Sequence, residues 1–192
     1  MRSASRYDAL IATLVGVFAL CVSCYTAYMQ RQQVRAMVWP ILEFDSSNAP
    51  NIHLSLANKG VGPAIIRDVI VKVDGQPVRE WIEVFDKLVG PGKWTDEAKS
   101  PFSESDMSGR VVAAGESITV FTPHDPEGNP IVFDRSNPVY VQMNKNRARI
   151  TVEICYSSTL GDCWLLRGGG TTPNVTTAIG SCPSSSATSF HQ

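Results

Sequence analysis

The sequence predicts a mainly β protein carried on one N-terminal transmembrane helix, and three observations predict it. Ala9–Met29, ALIATLVGVFALCVSCYTAYM, is an uncharged run of 21 residues. As a helix it reaches about 31 Å, against a hydrocarbon core of about 30 Å. Beyond Trp39-Pro40 the apolar period changes to two, as in Ile52-His53-Leu54-Ser55-Leu56, the signature of a strand with one buried face. Further β-branched, alternating stretches then recur between clusters of Pro, Gly, Asp and Asn, at spacings typical of an antiparallel sandwich.

The anchor comes first. Residues 1–8 are a short flank, 9–29 the span, and 30–37, from Gln30 on, continue the helix as a polar juxtamembrane stalk. A cleaved signal peptide competes, since Arg2 and Arg6 make a basic start, but the run exceeds the usual h-region and Tyr25 and Tyr28 sit where an interface belt belongs. A lipoprotein signal with Cys24 as the acylated residue is a third account, with Cys21 where such signals usually carry leucine. Arg2 and Arg6 are matched by Arg31 and Arg35 on the other flank, so the positive-inside rule nearly cancels. The free N-terminus tips the orientation inward. Within the span, Ala9, Ala12, Gly16, Ala19, Ser23 and Thr26 follow at steps of three and four, a seam of small residues along which a second helix can approach. Spans are rich in small residues in any case, which is the competing reading.

Trp39-Pro40 ends the helix, because proline lacks a donor and pushes its predecessor to extended geometry. Val38 to Phe44 begins a strand, and Ile52 to Leu56 is the next. Asn58-Lys59-Gly60-Val61-Gly62-Pro63-Ala64 is a turn. Ile65 to Val73 is a β-branched strand, and Asp74-Gly75 a hairpin signal leading to Gln76-Pro77-Val78. Glu80 to Val89 breaks the pattern: Trp81, Ile82, Phe85, Leu88 and Val89 share a helical face, which predicts one short inserted helix. Gly90-Pro91-Gly92 stops it, and Lys93 to Gly109 reads as a polar loop long enough to bind something. Strands resume at Glu116 to Thr122, Val139 to Met143, Ala148 to Tyr156 and Cys163 to Leu166. Around seven strands and one helix over residues 38–167 fit an immunoglobulin-like sandwich.

Between Ala36 and Arg167 stand 13 basic and 17 acidic residues, a net charge of −4. Nothing there suggests nucleic-acid binding, which calls for a basic patch or a motif. Residues 168–192 carry no charge and ten Ser or Thr among 25 residues. So few large apolar groups predict a disordered tail. Its Asn174-Val175-Thr176 matches a glycosylation acceptor.

Cys155 and Cys163 flank Tyr156 to Asp162, and a hairpin centred near Thr159 sets them opposite one another, close enough to bridge. A disulfide there is the leading expectation, with Cys182 the odd thiol; free buried thiols and a redox or metal role compete. A bridge also implies an oxidising compartment for the C-terminal part. His53, His124 and His191 share no metal-ligand spacing, no Gly-x-Ser-x-Gly or Ser-x-x-Lys occurs, and Gly92-Lys93 is no phosphate loop because Trp94 replaces the Ser or Thr. The acidic turn Asp125 to Asn129, near Asp134, lacks the spacing of a calcium loop and reads as solvated.

The single span, Trp39-Pro40, Leu56-Ala57-Asn58-Lys59-Gly60-Val61-Gly62-Pro63-Ala64, Asp74-Gly75 and the segment from Cys155-Tyr156 to Asp162-Cys163-Trp164 together resemble a group of uncharacterised bacterial single-span membrane proteins with a C-terminal immunoglobulin-like β-domain. The resemblance covers most of the chain up to Arg167 and implies a bacterial inner-membrane setting with the domain in the periplasm. It carries no activity across. The expectation is therefore a membrane-anchored, non-enzymatic β-domain that binds a protein or envelope partner as an accessory or scaffold subunit. Its partners are membrane lipid and, through the seam, a second copy or another membrane protein, with no nucleic acid, cofactor, metal or catalytic residue. The alternative is an envelope enzyme or thiol-redox protein with its site near the 93–109 loop and the Cys155/Cys163 hairpin.

Overall fold

The computed structural model describes residues 4–48, 53–93, 102–124, 129, 135–183 and 189–190. The chain forms two compact units, Met1–Met37 and Val38–Gln192. The first is a helix, α1 (Ala4–Met37). From Tyr7 to Met37 it is long and apolar enough to cross a membrane. The Thr13, Ser23 and Thr26 hydroxyls are satisfied within the helix, each donating to the carbonyl four residues back at 2.8 Å. That is the arrangement a medium without water requires.

The second unit is mainly β. Its strands are β1 (Leu42–Ser47), β2 (His53–Asn58), β3 (Ala64–Val73), β4 (Gln76–Val78), β5 (Phe102–Glu104), β6 (Val111–Val112), β7 (Ser117–Pro123), β8 (Ile150–Ser157), β9 (Cys163–Gly169) and β10 (Thr172–Ile179). They form two antiparallel sheets, one ordered β1-β2-β7-β5 and the other β10-β9-β8-β3-β4, with β6 also paired to β3. Period-two alternation places Leu42, Phe44, Leu54, Leu56, Ile118 and Val120 of the first sheet in one core with Ile66, Val71, Val73, Val152, Ile154 and Leu166 of the second. The β3–β4 turn follows its sequence signal, with Asp74 at φ 53° and Gly75 at φ 77°, the left-handed pair that suits strand twist.

Among the described residues two nine-residue α-helices are inserted where one was expected. α2 (Trp81–Val89) buries Trp81, Val84, Phe85 and Leu88, the spacing of a single helical face, with Ile82 and Val89 half-buried beside it. α3 (Pro138–Asn146) replaces the strand expected over Val139–Met143. The local chemistry there starts a helix. Pro138 occupies the first turn, and the Asn137 side chain accepts from the Val139 amide at 2.8 Å.

The expected disordered tail is also corrected. β9 runs on to Gly169, β10 pairs with it from Thr172 to Ile179, and Phe190 is 2 % exposed, its ring 5.1 Å from that of Trp81. The Phe190 amide donates to the Val69 carbonyl at 2.7 Å, and the Ser189 hydroxyl contacts the buried Asp68 carboxylate at 2.6 Å. Long-range pairing and one aromatic in the core supply what a local count of apolar residues did not reveal.

Asn58 knits one end of this unit. Fully buried, it donates through Nδ2 to the Gly62 carbonyl at 2.8 Å and the Val112 carbonyl at 3.0 Å; its Oδ1 accepts from the amides of Gly60 at 3.0 Å and Ile41 at 3.2 Å. Three segments thereby meet on one side chain. Gly60 and Gly62 allow the close approach, since a Cβ on either would strike the main chain of Val38 to Ile41.

Candidate functional site

Cys155 bonds to Cys182, not to Cys163, with Cα atoms 5.7 Å apart. The β8–β9 turn explains the correction. Ser158 Oγ accepts from the amides of Leu160 and Asp162, Gly161 takes φ 83°, and the hairpin sets Ser157 opposite Cys163 and Cys155 opposite Leu165. Cys155 thus lies diagonal to Cys163, whose thiol is free and half-buried. The bridge ties β8 to the segment after β10.

The other chemical candidates remain dispersed. His53 opens β2 and His124 follows β7, while His191 lies outside the described residues. Among the described residues no three His, Cys, Asp or Glu side chains gather where a metal could bind. The 93–109 loop is described from Phe102 onward and there contains β5 and the buried Met107; residues 94–101 and the acidic turn at 125–128, with Asp134, lie outside the described residues. Glu104 is held above the ordinary carboxylate range by burial and by the nearby Glu80 charge. Tyr156, stacked on Trp164 with centroids 5.7 Å apart, is likewise pushed up by burial. Its hydroxyl faces the Leu42 main chain and the Thr176 side chain without a hydrogen bond of ordinary geometry.

The helix-packing seam of Ala9, Ala12, Gly16, Ala19, Ser23 and Thr26 lies wholly on α1, and a Cβ on Gly16 would meet nothing within 4 Å. It offers shape but no chemistry.

The surface that stands out is β10, which sequence reasoning placed in a disordered tail. It ends the six-stranded sheet, pairs only with β9 among the described strands, and is exposed from Thr172 to Ala178. It carries no charge, and Val175, Thr176, Thr177 and Ile179 are β-branched. Natural edge strands usually carry Lys, other charges or a mid-strand Pro that discourage pairing; here the only proline is Pro173, near the start, where the register with β9 shifts. Inward, the Asn174 amide fixes the strand to the first sheet, donating to the Phe44 carbonyl at 2.9 Å and accepting from the Phe44 amide at 3.3 Å. The nitrogen of the glycosylation match is thus engaged in the fold. Outward, next to β10, Glu153 lies between Lys72 at 2.9 Å and Arg167 at 3.6 Å, lining a groove with Thr151, Thr172 and Val175. The signal for β10 was present as Val175-Thr176-Thr177-Ala178-Ile179 between Gly170 and Gly180.

An arrangement of this kind can add a strand. It presents main-chain donors and acceptors at a sheet edge, with the free Cys163 thiol opposite Ile179 and, among the described residues, no cluster of side chains that could hold a metal. Comparison with protein-family models, with curated proteins and with solved structures returned no match.

Proposed function

We propose that the protein is a membrane-anchored, non-enzymatic β-domain that binds a protein or envelope partner as an accessory or scaffold subunit. The observation that carries this reading is β10, an uncharged, exposed strand at the end of a six-stranded sheet. A partner chain gains main-chain hydrogen bonds there at little cost in side-chain desolvation. α1 supplies the anchor, and the Cys155–Cys182 bridge suits an oxidising compartment, in keeping with an immunoglobulin-like domain on the periplasmic side of a bacterial inner membrane.

A photoreactive residue at Ala178 tests the reading in native membranes. Discrete cross-linked species are expected, and Val175→Lys with Thr177→Lys should abolish them, because charged side chains on an edge oppose strand addition. Both positions are exposed, so the fold should survive. Species unaffected by the double substitution, or arising equally from Thr171, would overturn the proposal.

A further inference from the structure

Large apolar side chains are not scattered over the surface of the second unit. Seven are exposed among its described residues: Trp39, Ile41, Val61, Val111, Val141, Leu160 and Val175. Five of these lie at one end. The Val61 amide donates to the Trp39 carbonyl at 3.0 Å, and the Lys59 amide to the Ile41 carbonyl at 2.7 Å, so the entering chain and the 58–63 turn form one ledge. Val111 stands opposite Ile65 in the strand ladder, Ile65 stands opposite Ser157, and Leu160 is in the turn that follows. The opposite end, around Asp74, Gln76, Arg149 and Thr171, exposes polar and charged groups instead.

These exposures are held, not incidental. Val61 is 65 % exposed and Trp39 50 %, yet their main chains are fixed by the buried Asn58 and by two glycines that admit no Cβ. A turn clamped this firmly cannot fold its apolar side chains inward, so water contact persists unless another phase covers them. Chain connectivity says which phase. Trp39 follows Met37, the last residue of α1, by two residues and is within about 7 Å of it along the chain. Tryptophan with neighbouring aliphatic groups and a lysine, here Lys59, is the composition that settles at the headgroup boundary of a bilayer.

We infer that the ledge of Trp39, Ile41, Val61 and Val111 is a lipid-binding surface that seats the β-domain on the bilayer interface, with the Asp74 end pointing away. The inference rests on the reading of α1 as a span, and the experiment separates the two. In the full chain, with Cys21, Cys24 and Cys163 changed to Ser and the Cys155–Cys182 bridge retained, single cysteines at Val61, Val111, Thr171 or Phe18 are labelled with an environment-sensitive fluorophore. Each variant is reconstituted in phosphatidylcholine–phosphatidylglycerol vesicles containing brominated lipid. Quenching at positions 61 and 111 should exceed that at 171 at least twofold, with Phe18 strongly quenched. Strong quenching at 18, with 61 and 111 no different from 171, would overturn the ledge and leave the span. Quenching at 61 and 111 without quenching at 18 would overturn the span and leave the ledge. Blue-shifted emission at 61 and 111 without lipid quenching would mean that protein covers the surface, and would also overturn the inference.

Discussion

Removing Cys182 should destabilise the β-domain far more than removing Cys163. The Cys155–Cys182 bridge spans 27 residues of sequence. Constraining a loop of that length in the unfolded chain contributes about 3.5 kcal/mol by the chain-entropy relation, against about 2.5 kcal/mol for the shorter loop a Cys155–Cys163 bond would close. For a domain this size the loss corresponds to a fall in Tm of about 7 to 14 °C. Cys163 is half-buried and unbridged, so Cys163→Ser should change stability by about 0.5 kcal/mol or less. Thermal and urea unfolding of the detergent-solubilised chain, followed by tryptophan fluorescence, reads the difference. A non-reducing tryptic map reads the bond itself, because no Lys or Arg lies between Ile150 and Arg167 or between Gly168 and Gln192. Peptides 150–167 and 168–192 should be linked, and should remain linked in Cys163→Ser. A 150–167 peptide two mass units light beside a free 168–192 peptide, or equal destabilisation by the two serine variants, would refute the reasoning.

Phe190→Ala should cost about 3 to 5 kcal/mol, since it empties the site against Trp81, and an unchanged urea midpoint would return the C-terminus to a passive tail. Asn58→Ala leaves the Gly62 and Val112 carbonyls and the Gly60 and Ile41 amides without their partner and should cost about 2 to 4 kcal/mol; hydrogen exchange should quicken first in the 58–63 turn, and uniform quickening would contradict the hub role. Asp74 is held low by the hydrogen-bonded Arg149 guanidinium, Glu83 by the Arg79 amide and Lys87, and Glu116 by the Ala113 amide and Arg110. Each contributes stability that is present above the ordinary carboxylate range and lost as pH falls through the lowered folded-state values, so the urea midpoint should be level above about pH 5 and drop toward pH 3. Glu104 runs the other way: its folded value is raised, its contribution is lost as pH rises, and Glu104→Gln should raise the midpoint at pH 7 and leave it unchanged at pH 3. Gly16→Leu, on an open face of α1, should leave the β-domain's Tm unchanged while abolishing cross-links between spans through seam positions; cross-linking insensitive to it would reduce α1 to a passive anchor.

What was legible in the sequence was local. The helix that ends before Trp39-Pro40, the Asp74-Gly75 hairpin and the α2 face all declare themselves within about ten residues, and the chain follows them. Val139 to Met143 is helical where a strand was expected because Asn137 and Pro138 beside it supply a cap and a first-turn proline. The disulfide failed on register. A hairpin symmetric about Thr159 sets Cys155 opposite Cys163, whereas Ser158 holds the turn so that Ser157 meets Cys163, and the partner Cys182 comes from beyond β10. The uncharged, Ser- and Thr-rich composition of residues 168–192 likewise hid β10. Its order comes from β9, the Asn174 amide on Phe44 and Phe190 in the core, contacts that no local composition count contains. The exposed ledge escaped for a related reason: Trp39, Val61 and Val111 are far apart in sequence and are brought together by the Val61–Trp39 main-chain bond, the Asn58 side chain and the pairing of β6 with β3.

The measurement that tests most directly whether this is an anchored domain on one side of a membrane is thiol accessibility from the two sides. In the background lacking Cys21, Cys24 and Cys163, a cysteine at Ser5 before the span is compared with one at Thr171 in the β9–β10 turn, using a membrane-impermeant maleimide on intact spheroplasts. The account predicts labelling at 171 at once and at 5 only after permeabilisation. Labelling of both positions in intact spheroplasts, or at 5 alone, would contradict it.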